Sequence, residues 1–140
     1  MTIKSLIGFI DRHTNNGAIY PKEPWGEGVG IEEEGIAFIH SFSSRDWLAL
    51  RSLNLKEKSN FWIECLIDLL DEAYTEEARQ MIIYIALNGT EENFLDAIEC
   101  IRGFRRDVSI YTWLKLKDRS SKILSSRLNR EAVHKHTQDK

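Results

Sequence analysis

The 140-residue chain predicts an all-α fold of stacked antiparallel helical hairpins, with an irregular Gly- and Pro-containing connector near its N-terminus. Three observations predict it. Both prolines, Pro21 and Pro24, fall in one Gly-rich stretch from Gly17 to Gly35, so everything from Ser44 onward is free of the residue that breaks helices. Helix-start signals recur, with Thr75-Glu76-Glu77 repeated as Thr90-Glu91-Glu92. The tripeptide Ile63-Glu64-Cys65 returns as Ile98-Glu99-Cys100. A period of about 35 to 45 residues is that of helix-pair solenoids, because one hairpin cannot bury its face alone. An irregular helical bundle is the alternative.

Each element follows from local signals. Residues 1–16 read as a short helix and 17–43 as the irregular connector. Ser44 before Arg45-Asp46 reads as the cap of a helix carrying Trp47, Leu48, Leu50 and Leu53. Ser59 opens the next, whose residues Phe61, Trp62, Cys65, Leu66, Leu69, Leu70 and Ala73 form an apolar stripe at helical spacing. Thr75 caps a helix over 76–88 that is apolar nearly all round, as suits a central position. Asn88-Gly89 ends it, with glycine expected to relieve left-handed strain. Thr90 caps the following helix, Asp107 a further one, and Ser120-Ser121 a last, basic one. From His134 the chain reads as a frayed tail.

Length predicts one domain, 1–140, with the helical body at 44–130 and the tail at 131–140. A composition 42% hydrophobic and 29% charged excludes the disordered class. The longest apolar run, Met81 to Leu87, falls far short of the roughly 20 residues that span a bilayer. No small-residue cleavage site follows the first ten residues, so the cytoplasm is the expected compartment and Cys65 and Cys100 are expected as reduced, buried thiols. The net charge of −3 conceals an asymmetry. Residues 1–101 carry 8 Lys and Arg against 18 Asp and Glu, a net −10, and residues 102–140 carry 11 against 4, a net +7. Such a split points to oppositely charged partners, or to a solvated acidic face beside a basic helix.

Residues that could carry chemistry do not assemble into a reaction centre. Gly26-Glu27-Gly28-Val29-Gly30 lacks the spacing of a dinucleotide or P-loop motif, and Glu32-Glu33-Glu34 just downstream would repel phosphate. His134 and His136 sit on a chain end without the rigid support of a metal site, so neither a metal nor another cofactor is expected. No nucleophile, base and electrophile come together in the pattern, which points away from an enzyme and from a small-molecule substrate. The carboxylates are the most numerous polar feature. Glu64, Asp68, Asp71 and Glu72 share one helical face, expected as a solvated side opposite the apolar stripe. Glu76, Glu77, Glu91 and Glu92 are expected on one edge of the stack. Of the four tryptophans, Trp47, Trp62 and Trp113 are expected in the core, and Trp25 as a plug or an exposed anchor.

The segments Trp62-Ile63-Glu64-Cys65-Leu66-Ile67-Asp68-Leu69-Leu70, Glu77-Ala78-Arg79 and Asp96-Ala97-Ile98-Glu99-Cys100-Ile101 carry a resemblance. The stretch from Ser44 to Phe104 resembles small HEAT-like helical-repeat proteins, and among them the acidic immunity proteins of bacterial contact-dependent growth inhibition systems. The resemblance covers under half of the chain and rests on pattern. It implies a non-enzymatic inhibitor that binds a cognate toxin, a basic nuclease domain. The partner-binding residues would then be Trp25, Glu32, Glu33, Glu34, Glu64, Asp68, Asp71 and Glu72. The alternative is a helical scaffold or regulator that binds protein or nucleic acid through its basic C-terminal end.

Overall fold

The computed structural model describes the backbone at residues 2–16 and 31–138 and the side chains at 2–15 and 32–132. All regular structure among the described residues is helical. Two compact units divide the chain, Met1–Gly103 and Phe104–Lys140. The division falls beside the charge boundary, so the first unit carries a net −9 and the second a net +6.

The first unit begins with α1 (Thr2–Asn16). Leu6, Phe9 and Ile10 recur at helical spacing and are buried. Asp11 Oδ1 accepts a 2.8 Å bond from the Trp62 indole, tying α1 to the next large core element. Part of the expected irregular connector 17–43 is helical, because Ile31–His40 forms α2, and residues 17–30 lie outside the described residues. Gly35 lies inside this helix and is buried. A Cβ there would meet Leu69 at 2.8 Å and the Phe9 ring at 2.9 Å, so glycine lets α2 approach both α1 and α4. This packing role is invisible in a sequence window, where the residue reads as one more loop glycine.

Helix α3 (Ser44–Arg51) is capped one residue earlier than expected. Ser43 accepts from the Asp46 amide, and Asp46 accepts in return from the Ser43 amide at 2.8 Å. Asp46 also accepts the Ile3 amide, satisfying a donor at the start of α1. A 3₁₀ turn (Leu55–Glu57) leads to α4 (Asn60–Ala73), capped by Ser59 as expected. This helix ends at Tyr74, whose φ of 55° is left-handed. His40, at the end of α2, donates through Nε2 to the Ala73 carbonyl at 2.8 Å and so satisfies one acceptor of that last turn.

Helix α5 (Glu76–Asn88) is capped by Thr75 and buries Ala78, Met81, Ile82, Ile83, Ile85 and Ala86, matching its all-round apolar sequence. Gly89 ends it without a left-handed turn, at φ −83°. The requirement for glycine is steric, because a Cβ would sit 2.7 Å from Asn93 Oδ1 and 2.8 Å from the Ile85 carbonyl. Helix α6 (Glu91–Gly103) starts from a reciprocal pair, in which Thr90 Oγ1 accepts the Asn93 amide and Asn93 Oδ1 accepts the Thr90 amide. Fully buried Asn93 and the Thr90 hydroxyl both donate to Asn60 Oδ1 in the first turn of α4. The starts of α4 and α6 therefore lie together, and the two helices run side by side in the same direction.

That geometry corrects two expectations. Glu76 and Glu77 begin α5 at the far end of α4, about 20 Å from Glu91 and Glu92, because successive packed helices alternate in direction. The repeated tripeptide is one turn out of step. Cys65 is the sixth residue of α4 and buried, whereas Cys100 is the tenth of α6 and half-buried.

The second unit holds a 3₁₀ turn (Arg105–Asp107) and α7 (Ile110–Gln138). Ser109, instead of Asp107, accepts the Thr112 amide and caps this helix. Ser120-Ser121 opens nothing, since both hydroxyl residues sit mid-helix, and the expected tail is helical to Gln138. No Gly or Pro occurs from Ile110 to Gln138, so no strong breaker stops the helix. The guanidinium of Arg105 lies over the Trp113 ring, 5.2 Å from its centroid.

Candidate functional site

An acidic face forms on the first unit along α4, which packs against both α2 and α6. Helix α4 contributes Glu64, Asp68 and Asp71 at i, i+4 and i+7, with Glu72 beside them. Helix α6 contributes Glu92, Asp96 and Glu99 at the same spacing. Because α4 and α6 are parallel neighbours, the two stripes adjoin. Asp71 accepts a hydrogen bond from the Cys100 thiol across the helix pair.

The face is less solvated than its sequence suggests. Glu64, Asp68 and Asp96 are half-buried, because α4 is covered round most of its circumference. Partial burial pushes Asp68 up to about 6, and the charges of Glu32, Glu72, Asp71 and Glu64 push in the same direction. Asp96 also rises to about 6, through burial first and then the charges of Glu64 and Glu92. Burial raises Asp71 as well, with Arg79 and the Cys100 thiol pulling it back. Burial and these same carboxylates drive both cysteines up to about 12, which leaves the thiols protonated and poorly nucleophilic at neutral pH.

Of the residues singled out in the sequence, Glu32 joins Glu64, Asp68, Asp71 and Glu72 electrostatically. Glu33 and Glu34 are exposed in the first turn of α2, and Trp25 lies outside the described residues. Sequence reasoning missed Glu92, Asp96 and Cys100. The signal was present in the matching i, i+4, i+7 spacing of the two stripes, but their adjacency depends on helix packing. Among the described residues, no group of three or more His, Cys, Asp or Glu is arranged to hold a metal ion. Nor is any described helix long and apolar enough to cross a membrane.

No family model, curated protein or solved structure matches this chain.

A second surface lies between α3 and α5. It is an open groove of about 410 Å³ floored by Trp47 and Leu48, with Arg51, Glu76, Glu77 and Gln80 along its rim. Trp47 was expected in the core, yet it is half-exposed here and packs edge-on against Phe42 at 4.9 Å. Trp113 is half-buried too, leaving Trp62 as the helical tryptophan that is fully in the core. A polar tie joins the two helices, in which the Tyr84 hydroxyl of α5 donates to the Arg51 carbonyl at the end of α3 at 3.1 Å.

Proposed function

We propose that the chain is a cytoplasmic, non-enzymatic immunity protein that binds and neutralises a cognate toxin domain, a basic nuclease, through the α2–α4–α6 acidic face. The observation that supports this reading is the set of mutually repelling, partly buried carboxylates around Asp68 and Asp96. Holding them charged costs the free protein stability, and a basic surface would relieve that cost on contact. Long-range attraction between such surfaces also accelerates encounter. Parallel α4 and α6, with α5 packed on both, fit a HEAT-like stack of helical hairpins, and the resemblance of residues 44–104 to immunity proteins points the same way. Trp25, Glu33 and Glu34 complete the proposed contact set.

The test is capture of the tagged protein from its own host after nuclease treatment, followed by affinity measurements on the captured partner. A stoichiometric basic protein is expected. The double variant Asp68→Lys/Asp71→Lys should weaken its binding by at least about tenfold and flatten its salt dependence. Unchanged affinity in that variant would show the face to be wrong.

A second reading rests on the basic α7 unit, which could hold nucleic acid or another protein through phosphate or carboxylate contacts. It requires retention of generic DNA or RNA at low salt, with loss of binding once Arg105, Arg106 and Lys122 are neutralised.

A further inference from the structure

Helix α7 leaves a narrow apolar stripe uncovered. Ile110, Leu114, Leu124 and Leu128 lie within about 40° of one line along the helix. Leu124 and Leu128 are 59% and 55% exposed. Lys117 and Ser121 interrupt the stripe in the middle, so it consists of two i, i+4 pairs and not a continuous seam. Residues four apart share one side of a helix, so Leu124 and Leu128 form a single exposed apolar pair. The α3/α5 groove is the converse feature, a concave apolar floor with open access.

We propose that a second copy of this chain seats the Leu124–Leu128 pair of its basic helix α7 in the α3/α5 groove. Size supports the match. One i, i+4 pair spans about 6 Å and the eight-residue α3 about 12 Å, whereas the whole stripe spans about 27 Å and would overrun the groove. Charge supports it as well. Helix α7 carries 7 Lys and Arg against 2 Asp and Glu, while the groove belongs to the unit of net −9 and has Glu76 and Glu77 on its rim. Lys122, Arg127 and Arg130 flank the leucine pair in sequence. Pairing two α7 helices would instead set +5 against +5. Leu124 and Leu128 also lie about 21 and about 27 Å along the helix from its start. The contact is heterologous, one surface against a different one, so it closes as a reciprocal dimer or grows into larger oligomers.

The test is sedimentation of the full chain from about 1 µM to about 200 µM, at about 50 mM and about 500 mM salt. Mass should rise with concentration, and high salt should raise the midpoint at least about tenfold. Leu48→Glu and Leu124→Glu/Leu128→Glu change exposed residues and should leave helical content and melting intact, yet each alone should be monomeric. Mixing the two variants should restore association, because each retains the surface that the other has lost. A wild-type chain that stays monomeric throughout would overturn the proposal, as would variants that associate like wild type. Failure of the mixture to associate would also overturn it, and loss of association in the leucine variant alone would assign the leucines to α7–α7 pairing.

Discussion

Individual residues in the first unit carry requirements that local propensity would misjudge. Replacing a mid-helix glycine with alanine ordinarily stabilises a helix by about 0.5–1 kcal/mol. At Gly35 the added Cβ meets Leu69 and Phe9 inside 3 Å, so overpacking should reverse the sign. Gly35→Ala is expected to lower unfolding stability by about 1–3 kcal/mol in urea titration; a gain would mean that α2 can withdraw without cost. Asn93 makes a second case. Its side chain closes the α6 cap and reaches Asn60 from a fully buried position. Asn93→Ala removes the acceptor of the Thr90 amide and leaves Asn60 short of a donor, and should cost about 1–3 kcal/mol. Thr90→Asn93 coupling, measured in a double-mutant cycle with Thr90→Ala, should be non-additive because both residues share one pair of bonds.

At the scale of elements, the acidic stripes of α4 and α6 make stability depend on pH. Asp68 and Asp96 titrate near 6 in the folded chain against an ordinary value of 3.8. The folded state therefore binds their protons more tightly than the unfolded state. Their contribution to stability is greatest below about pH 4, declines as pH rises to about 6, and is level above that. Asp46 has the opposite sign, since the Ser43 amide and then its other donors hold its carboxyl down, and its contribution fades as pH falls through the carboxylate range. Both aspartates of the face keep solvent contact, so screening reduces the effect well below the unscreened linkage value. The melting temperature is expected to rise by about 2–4 °C between pH 7.5 and pH 5.5. Asp68→Asn should raise it at pH 7.5 and flatten this dependence in thermal melts. A pH-independent melt in the wild-type chain would mean that the stripes are fully hydrated.

Across the whole molecule, two units of opposite charge divide the chain, and they differ in how their helices are held. Helices α4 and α5 bury residues on most sides, whereas no residue from 117 to 132 is buried. A helix without buried side chains opens locally at little cost. Amides of α7 beyond Leu116 should therefore exchange with solvent at least about tenfold faster than those of α4 and α5 in dilute solution, read by hydrogen exchange. Gains in protection around Leu124 and Leu128 at high concentration would follow from docking in a second copy. Uniform protection along α7 in dilute solution would contradict the lack of buried residues beyond Leu116.

Much of the helical architecture was legible because its causes are local. Ser59, Thr75 and Thr90 cap where their side chains meet amides three residues on, and the stripe of α4 follows from period alone. Where a competing cap lay nearby, as at Ser43 or Ser109, the choice was settled by backbone geometry that spacing cannot rank. The long α7 escaped division because Ser120 and Ser121, free of any breaker, are tolerated within a helix. The α4 half of the acidic face was also visible, since residues four and seven apart share a side. What the sequence by itself determined is thus the helical class, most helix starts and the segregation of charge, all set within a turn or two of chain. Tertiary structure alone decided that Gly35 is a contact point, that α4 and α6 are parallel neighbours, and that Glu32 repels Asp68 while Glu64 repels Asp96. Those outcomes depend on which helices pack together, and pairwise distance between remote segments is a property that no local window contains.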